Sequence, residues 1–151
     1  MALSRQLAKV LLLGIDLEDV RTQVANGDGY SERVPTQTER YLRFFERIGA
    51  TATFFTVGDV VRRYSSLVKE IADAGHEIAC HTDRHDPLPS LTPDAFRQDL
   101  LRVHEALDRI GVAAPRGFRA PTLSMTQNTR WAYRELSTLG YEYSSSVLPA
   151  N

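Results

Sequence analysis

Cysteine is nearly missing from this 151-residue chain: Cys80 stands alone, so no disulfide can close within it. That usage suits a reducing compartment. Long apolar runs are missing as well. The longest, residues 10–15, falls far short of the roughly 20 residues that span a bilayer. Lys9 ahead of that run resembles a secretory leader, but no small-residue cleavage site follows. The run passes directly into Asp16-Leu17-Glu18-Asp19, as a buried strand entering a polar loop would. The expectation is a cytoplasmic protein without a membrane span. Neither charge is in excess, with 18 Lys+Arg against 19 Asp+Glu and a net charge of −1. No basic block or aromatic-interleaved basic stripe is present, which argues against nucleic acid as a partner. Repeats, low-complexity tracts and interdomain linkers are absent too. What remains is 42% hydrophobic, enough for the core of one domain over residues 1–151.

Short apolar runs alternate with amphipathic segments. Residues 10–16 read as a strand buried on both faces. A polar loop with the turn cluster Asn26-Gly27-Asp28-Gly29 follows. Thr36 and Glu39 form the pattern of a capping box that opens a helix with Tyr41, Leu42, Phe45 and Ile48 on its apolar face, closed by Gly49. Residues 51–57 and 76–80 read as the second and third strands, separated by helical turns ending at Gly75. Thr92 and Pro93 start a further helix, along which Phe96, Leu100, Val103, Leu107 and Ile110 recur at helical spacing. Residues 117–119 are a fourth strand, 127–139 a helix closed by Gly140, and 141–147 a fifth strand. About five strand–helix alternations imply an α/β fold, either a parallel sheet or part of a (β/α) barrel.

That architecture makes a demand: functional side chains should follow the strands, at their C-terminal ends. Asp16 ends the first strand, His81 follows the third and Arg119 ends the fourth. In His81-Thr82-Asp83-Arg84-His85, two imidazoles four residues apart can face one divalent cation. A carboxylate from the Asp16-Leu17-Glu18-Asp19 cluster would complete a His₂-carboxylate set with positions open for water. Cys80 alternates to the other side of its strand and reads as a structural thiol. His104 reads as a surface residue, His76 lies at the opposite rim, and Trp131, Tyr133 and Leu136 read as helix packing.

Three ordered motifs carry a family resemblance: Gly14-Ile15-Asp16-Leu17-Glu18-Asp19, His81-Thr82-Asp83-Arg84-His85 and Arg119-Ala120-Pro121. With Phe54-Phe55-Thr56-Val57-Gly58 and Gly75-His76-Glu77-Ile78, the chain resembles the polysaccharide deacetylase superfamily, carbohydrate esterase family 4. The likeness runs from Val10 to Pro149. The Asp-Leu-Glu-Asp form is similar to a branch of bacterial exopolysaccharide-associated, peptidoglycan-deacetylase-like and cyclic-imide hydrolase proteins. The resemblance implies a distorted (β/α) barrel, here lacking its last strands and so incomplete at its C-terminal side. It implies Asp16 as catalytic base, Arg119 as the catalytic residue that orients it, and Glu18, His81 and His85 as metal ligands. Asp19 is a rival ligand should the strand break early, and Pro121 and Tyr143 would touch substrate. Ser144 stands where an aspartate is common. No counterpart of the family's last motif, whose histidine serves as acid, follows before Asn151.

The implied reaction is metal-assisted removal of an acetyl group from an N-acetylated sugar of a surface polysaccharide or its precursor. Zinc fits the donor set first, and nickel, cobalt or iron would tolerate it. The alternatives are a cyclic-imide or ureide amidohydrolase, and a metal- and sugar-binding domain without turnover. An open sheet edge also invites a homo-oligomer.

Overall fold

Five short strands carry the β-branched and aromatic runs: β1 (Gly14–Leu17), β2 (Thr53–Thr56), β3 (Glu77–Cys80), β4 (Gly117–Phe118) and β5 (Tyr143–Ser144). The structure, a computed structural model, describes residues 10–148. Between the strands lie α1 (Val34–Ile48), α2 (Gly58–Arg63), α3 (Ser65–Asp73), α4 (Pro93–Arg109) and α5 (Ala132–Thr138). All strand pairs are parallel, in the order β1-β2-β3-β4-β5. Every crossover therefore steps in the same direction. Because such crossovers are right-handed, the helices collect on one face of the sheet.

Register and burial agree with that winding. Ile15, Phe54 and Ile78 are aligned across β1–β3, as are Leu17, Thr56 and Cys80. Leu17, Phe54, Ile78, Cys80 and Phe118 join Phe45, Val68, Ile71, Leu100 and Leu107 in one core. The alternate positions face away from it. Gly14, Thr53 and Glu77 align on this inner face, and Asp16, Phe55 and Ala79 align next to them. Phe55 is buried there beneath the Arg119 guanidinium, whose carbon lies 3.9 Å from the ring centroid.

Helix α4 shows how the sequence specifies an element. Thr92 Oγ1 accepts the Ala95 N–H at 3.2 Å, and Pro93 opens the first turn. Phe96, Leu100, Val103 and Leu107 are all fully buried. Each contributes about 1.5–3 kcal/mol by leaving water. Gly111, at φ +71°, lets the chain reverse into β4.

Several sequence expectations change, the fifth strand among them, which is cut from 141–147 to Tyr143–Ser144. The first strand is limited to Gly14–Leu17, and Val10, Leu11 and Leu12 are 78%, 81% and 88% exposed, because β1 is a sheet edge with one partner strand among the described residues. Helix α1 starts before the expected capping box: buried Val34 and Pro35 open it behind Arg33, so Thr36 lies inside the helix. Its apolar face is also only partly covered, with Phe45 buried and Tyr41 and Ile48 exposed. The expected helix over 127–139 is broken into a 3₁₀ turn at Gln127–Thr129, where Thr126 and Thr129 cap each other, and α5. The last residues, 149–151, lie outside the described residues, and Pro149 of the sequence resemblance with them.

Candidate active site

β1, β3 and β4 deliver their following residues to one rim. Arg119, just past β4, donates from Nη1 to Asp16 Oδ1 at 2.6 Å. The same guanidinium donates from Nε to the Ser145 carbonyl at 3.1 Å and from Nη2 to Ser145 Oγ at 2.8 Å, while resting on Phe55. Gly14 leaves it room: a Cβ there would come within 3.2 Å of Nη2. Arg119 is thus fixed by Ser145 just past β5, by β2 and by β1 together, and it fixes one oxygen of Asp16. The other, Oδ2, lies 4.0 Å from His81 Nε2.

Glu18, His81 and His85 bring one donor atom each to within 4.8 Å of the others. Backbone and side-chain acceptors set the imidazole tautomers. His81 Nδ1 lies 2.7 Å from the Arg119 carbonyl, which can only accept, so Nδ1 carries the proton and the Nε2 lone pair is free. His85 Nδ1 lies 3.2 Å from Gln23 Oε1, which directs its Nε2 inward in the same way. Burial pushes the His81 pKa below the ordinary histidine value, which keeps the ring neutral as a ligand must be. Glu18, the residue after β1, approaches both rings. Its Oε2 lies 2.6 Å from His85 Nε2, yet the approach lacks hydrogen-bond geometry and the oxygen is buried without a hydrogen-bond partner. An orphaned carboxylate oxygen facing two imidazole lone pairs is the surrounding a divalent cation requires. The residues fit a His₂-carboxylate centre.

Other expected site residues lie elsewhere. Asp19 is buried outside the cluster. Its carboxylate accepts from Arg21 at 2.7 Å and Arg63 at 3.2 Å, and it caps the 3₁₀ turn at Val20–Thr22. The Arg21 hydrogen bond lowers its pKa. Tyr143 lies on the inner face over Gly117 and donates to Glu77 Oε2 at 2.7 Å. It therefore sits two strand positions, about 6–7 Å, behind Arg119 and away from the rim. Pro121 is buried in a 3₁₀ turn. Neither Tyr143 nor Pro121 lines the cavity of about 610 Å³ that opens beside Asp16 and Glu18, bordered by Tyr30, Arg33, Gln37 and Tyr41. His104 is half-buried rather than superficial, 3.0 Å from the Tyr141 hydroxyl, because Tyr141 packs back onto α4. Cys80 is buried on the helix side, as strand alternation requires, and burial pushes its thiol up to about 12.

Sequence reasoning missed the residues that shape the histidine turn. Thr82 and His85 both have φ +64°, a region that costs a non-glycine residue about 1–3 kcal/mol. Asp83, between the histidines, is buried against Arg62 and Arg102. Asp99 of α4 is buried too, and burial raises its pKa to about 6. A signal for Asp99 existed: it falls on the buried stripe of α4, three residues after Phe96 and four before Val103. No sequence pattern marks Asp83 as doubly paired.

Comparison with known proteins decides the family. The model of the polysaccharide deacetylase family matches residues 27–143. The chain belongs to the polysaccharide deacetylase family. A peptidoglycan-N-acetylglucosamine deacetylase of Bacillus cereus is 31% identical over 96 residues, covering 63% of this chain and 35% of the relative. Among solved structures, a candidate polysaccharide deacetylase from Mycobacterium smegmatis superposes with a TM-score of 0.75 at 26% identity, over 91% of this chain and 50% of that one. A CE4 family pseudoenzyme from Bacillus anthracis shares the fold at 21% identity, with a TM-score of 0.69 over 88% of this chain and 41% of that one. The chain thus spans about a third of the curated relative and half or less of the two solved chains. The expected α/β architecture of family (β/α) barrels is the one found. No helix among the described residues is long and apolar enough to cross a membrane.

Proposed function

We propose that this polysaccharide deacetylase family chain carries the metal and base half of a carbohydrate deacetylase, which removes acetyl from an N-acetylated sugar of a surface polysaccharide or its precursor. One observation carries the reading: the buried, unpartnered Glu18 Oε2 faces His81 and His85 on the rim where Arg119 presents Asp16. Glu18, His81 and His85 would hold a divalent cation, zinc by preference and nickel, cobalt or iron as tolerated substitutes. Such a cation supplies Lewis-acid polarisation of a carbonyl and makes water easier to deprotonate near neutral pH.

The protein groups then have distinct work. Arg119 occupies Asp16 Oδ1, which leaves Oδ2 free to take a proton from water held between it and the ligand cluster. Strand alternation puts Asp16 and Glu18 on the same side, two residues apart, so base and ligand address one point. The adjoining cavity offers exposed Tyr30 and Tyr41 rings and the Gln37 amide to a sugar. The test is an acetate-release assay with zinc-loaded protein on an N-acetylglucosamine oligomer, with a hydantoin-type ring as the competing substrate. Release from the oligomer alone is expected. Turnover of the ring alone would replace this reading with the cyclic-imide one.

A second reading, binding without turnover, is favoured by Ser144 in place of the common aspartate. Its hydroxyl lies 2.7 Å from Ser146 Oγ and offers no charge to the rim. Saturable oligomer binding with no acetate release would establish it.

A further inference from the structure

We infer that Asp83, which is not itself a ligand, is the positioning residue that sets where His81 and His85 stand relative to each other. The inference rests on reading those two histidines as metal ligands. Asp83 lies two residues from each and is anchored on both sides of the turn. Its carboxylate accepts from Arg62 Nη1 of α2 at 2.6 Å and from Arg102 Nε of α4 at 2.9 Å. Its backbone N–H donates to Asp99 Oδ2 of α4 at 2.5 Å. Its carbonyl accepts the Asp59 N–H at 3.0 Å, and the Thr82 carbonyl accepts the Gly58 N–H at 3.0 Å. Two helices therefore grip one aspartate at the centre of the turn.

Gly58 belongs to the same device. A Cβ there would stand 2.3 Å from Asp83 Oδ1 and 3.1 Å from its Cα, so only glycine lets the turn sit against α2. The turn contains two left-handed non-glycine residues, Thr82 and His85, and such a conformation persists only where its surroundings over-determine it. A buried, doubly paired carboxylate is a poor source of net stability, because desolvation offsets the attraction. What it does supply is a fixed direction for the backbone on either side. Groups bonded directly to metal ligands typically change affinity by about 10–100-fold when removed, and Asp83, which acts through the backbone of the turn, is expected at the lower end of that range.

The experiment compares the chain with Asp83→Asn, Gly58→Ala and the remote surface control Asp73→Asn. Zinc affinity is measured by competition with a chromogenic chelator, well below each protein's melting transition, and amide exchange of residues 81–85 is followed without metal. Asp83→Asn should lose at least about tenfold in zinc affinity and exchange faster in that segment, with the control unchanged. Unchanged affinity in a folded Asp83→Asn overturns the inference. Should Asp83→Asn not fold, Gly58→Ala displaces the same carboxylate with every charge kept, and wild-type affinity there overturns it equally. Should the parent chain bind no zinc, the metal reading itself fails. Exchange alone then decides, and full protection of residues 81–85 in the variants overturns the positioning role.

Discussion

At the residue scale, three neighbouring carboxylates have three different fates, and the geometry assigns them. Asp16 is held by Arg119, Glu18 faces the histidines, and Asp19 is tied to Arg21 and Arg63. Asp16→Asn should cut deacetylation by about 10²–10⁴-fold with zinc still bound, because only proton transfer is lost. Glu18→Ala should strip the metal. Asp19→Ala should leave zinc bound and lower stability by about 1–3 kcal/mol, a figure reduced by the partial exposure of Arg63. Elemental analysis and urea unfolding of the three variants separate these outcomes, and metal loss in Asp19→Ala would contradict the assignment. The sequence singled out Asp16, His81, His85 and Arg119 because strand ends are readable from apolar periodicity, and the fold gathers these four at one rim. It left Glu18 and Asp19 as rivals because their difference lies in where β1 stops, and the last strand residue, Leu17, turns on pairing with β2 rather than on local pattern. Tyr143, expected to touch substrate, is set by register over Gly117, two positions behind Arg119, a placement that local pattern does not report.

At the scale of elements, β3 is tied to the stretch before β2 by His76, whose Nδ1 accepts the Ala52 N–H at 3.1 Å between the rings of Phe45 and Phe54. Accepting that bond requires an unprotonated nitrogen, and burial lowers the His76 pKa below 6.5. The unfolded chain therefore binds this proton more readily than the folded one. Stability from His76 is complete above about pH 6.5 and is lost as pH falls through the lowered folded value. Half-buried His104, lowered by burial as well, acts in the same direction. Buried Asp99, raised to about 6, acts in the opposite direction over the same range. The His76 contribution is therefore read as a difference: between pH 7.5 and pH 5.5 the urea midpoint of His76→Gln should lose less, or gain more, than that of the parent, and an identical pH dependence in both would remove His76 as a contributor. In α4, Leu100→Ala should cost about 2–5 kcal/mol, since the side chain is fully buried among Phe96, Val103 and the sheet. That helix was legible in full because cap, proline, stripe and glycine agree. Helix α1 was not, since its start depends on Val34 reaching the core, and local capping patterns cannot report a tertiary contact.

At the scale of the whole molecule, sequential parallel winding has a consequence that no single segment shows. All crossovers turn the same way, so the helices cover one face of the sheet and the polar residues of the site line the other. The alternation of strands and helices was readable from the sequence; which face each strand turns to the helices follows only from register. On the inner face a cavity of about 910 Å³ runs past Leu11, Leu13, Phe55 and Tyr143. Val10, Leu11 and Leu12 project beside it almost fully exposed, next to an edge of β1 that has no partner strand among the described residues. An apolar strand edge of this kind offers unpaired N–H and C=O groups together with surface that gains by leaving water. The chain as given should therefore self-associate, with a weight-average mass that rises with concentration in sedimentation velocity. Replacing both Leu11 and Leu12 with lysine puts like charges along the edge and should shift the population towards monomer, while zinc binding at the far rim stays unchanged. A parent chain that remains monomeric at every concentration would show that the inner face is stable in water by itself, and would remove the edge as an association surface.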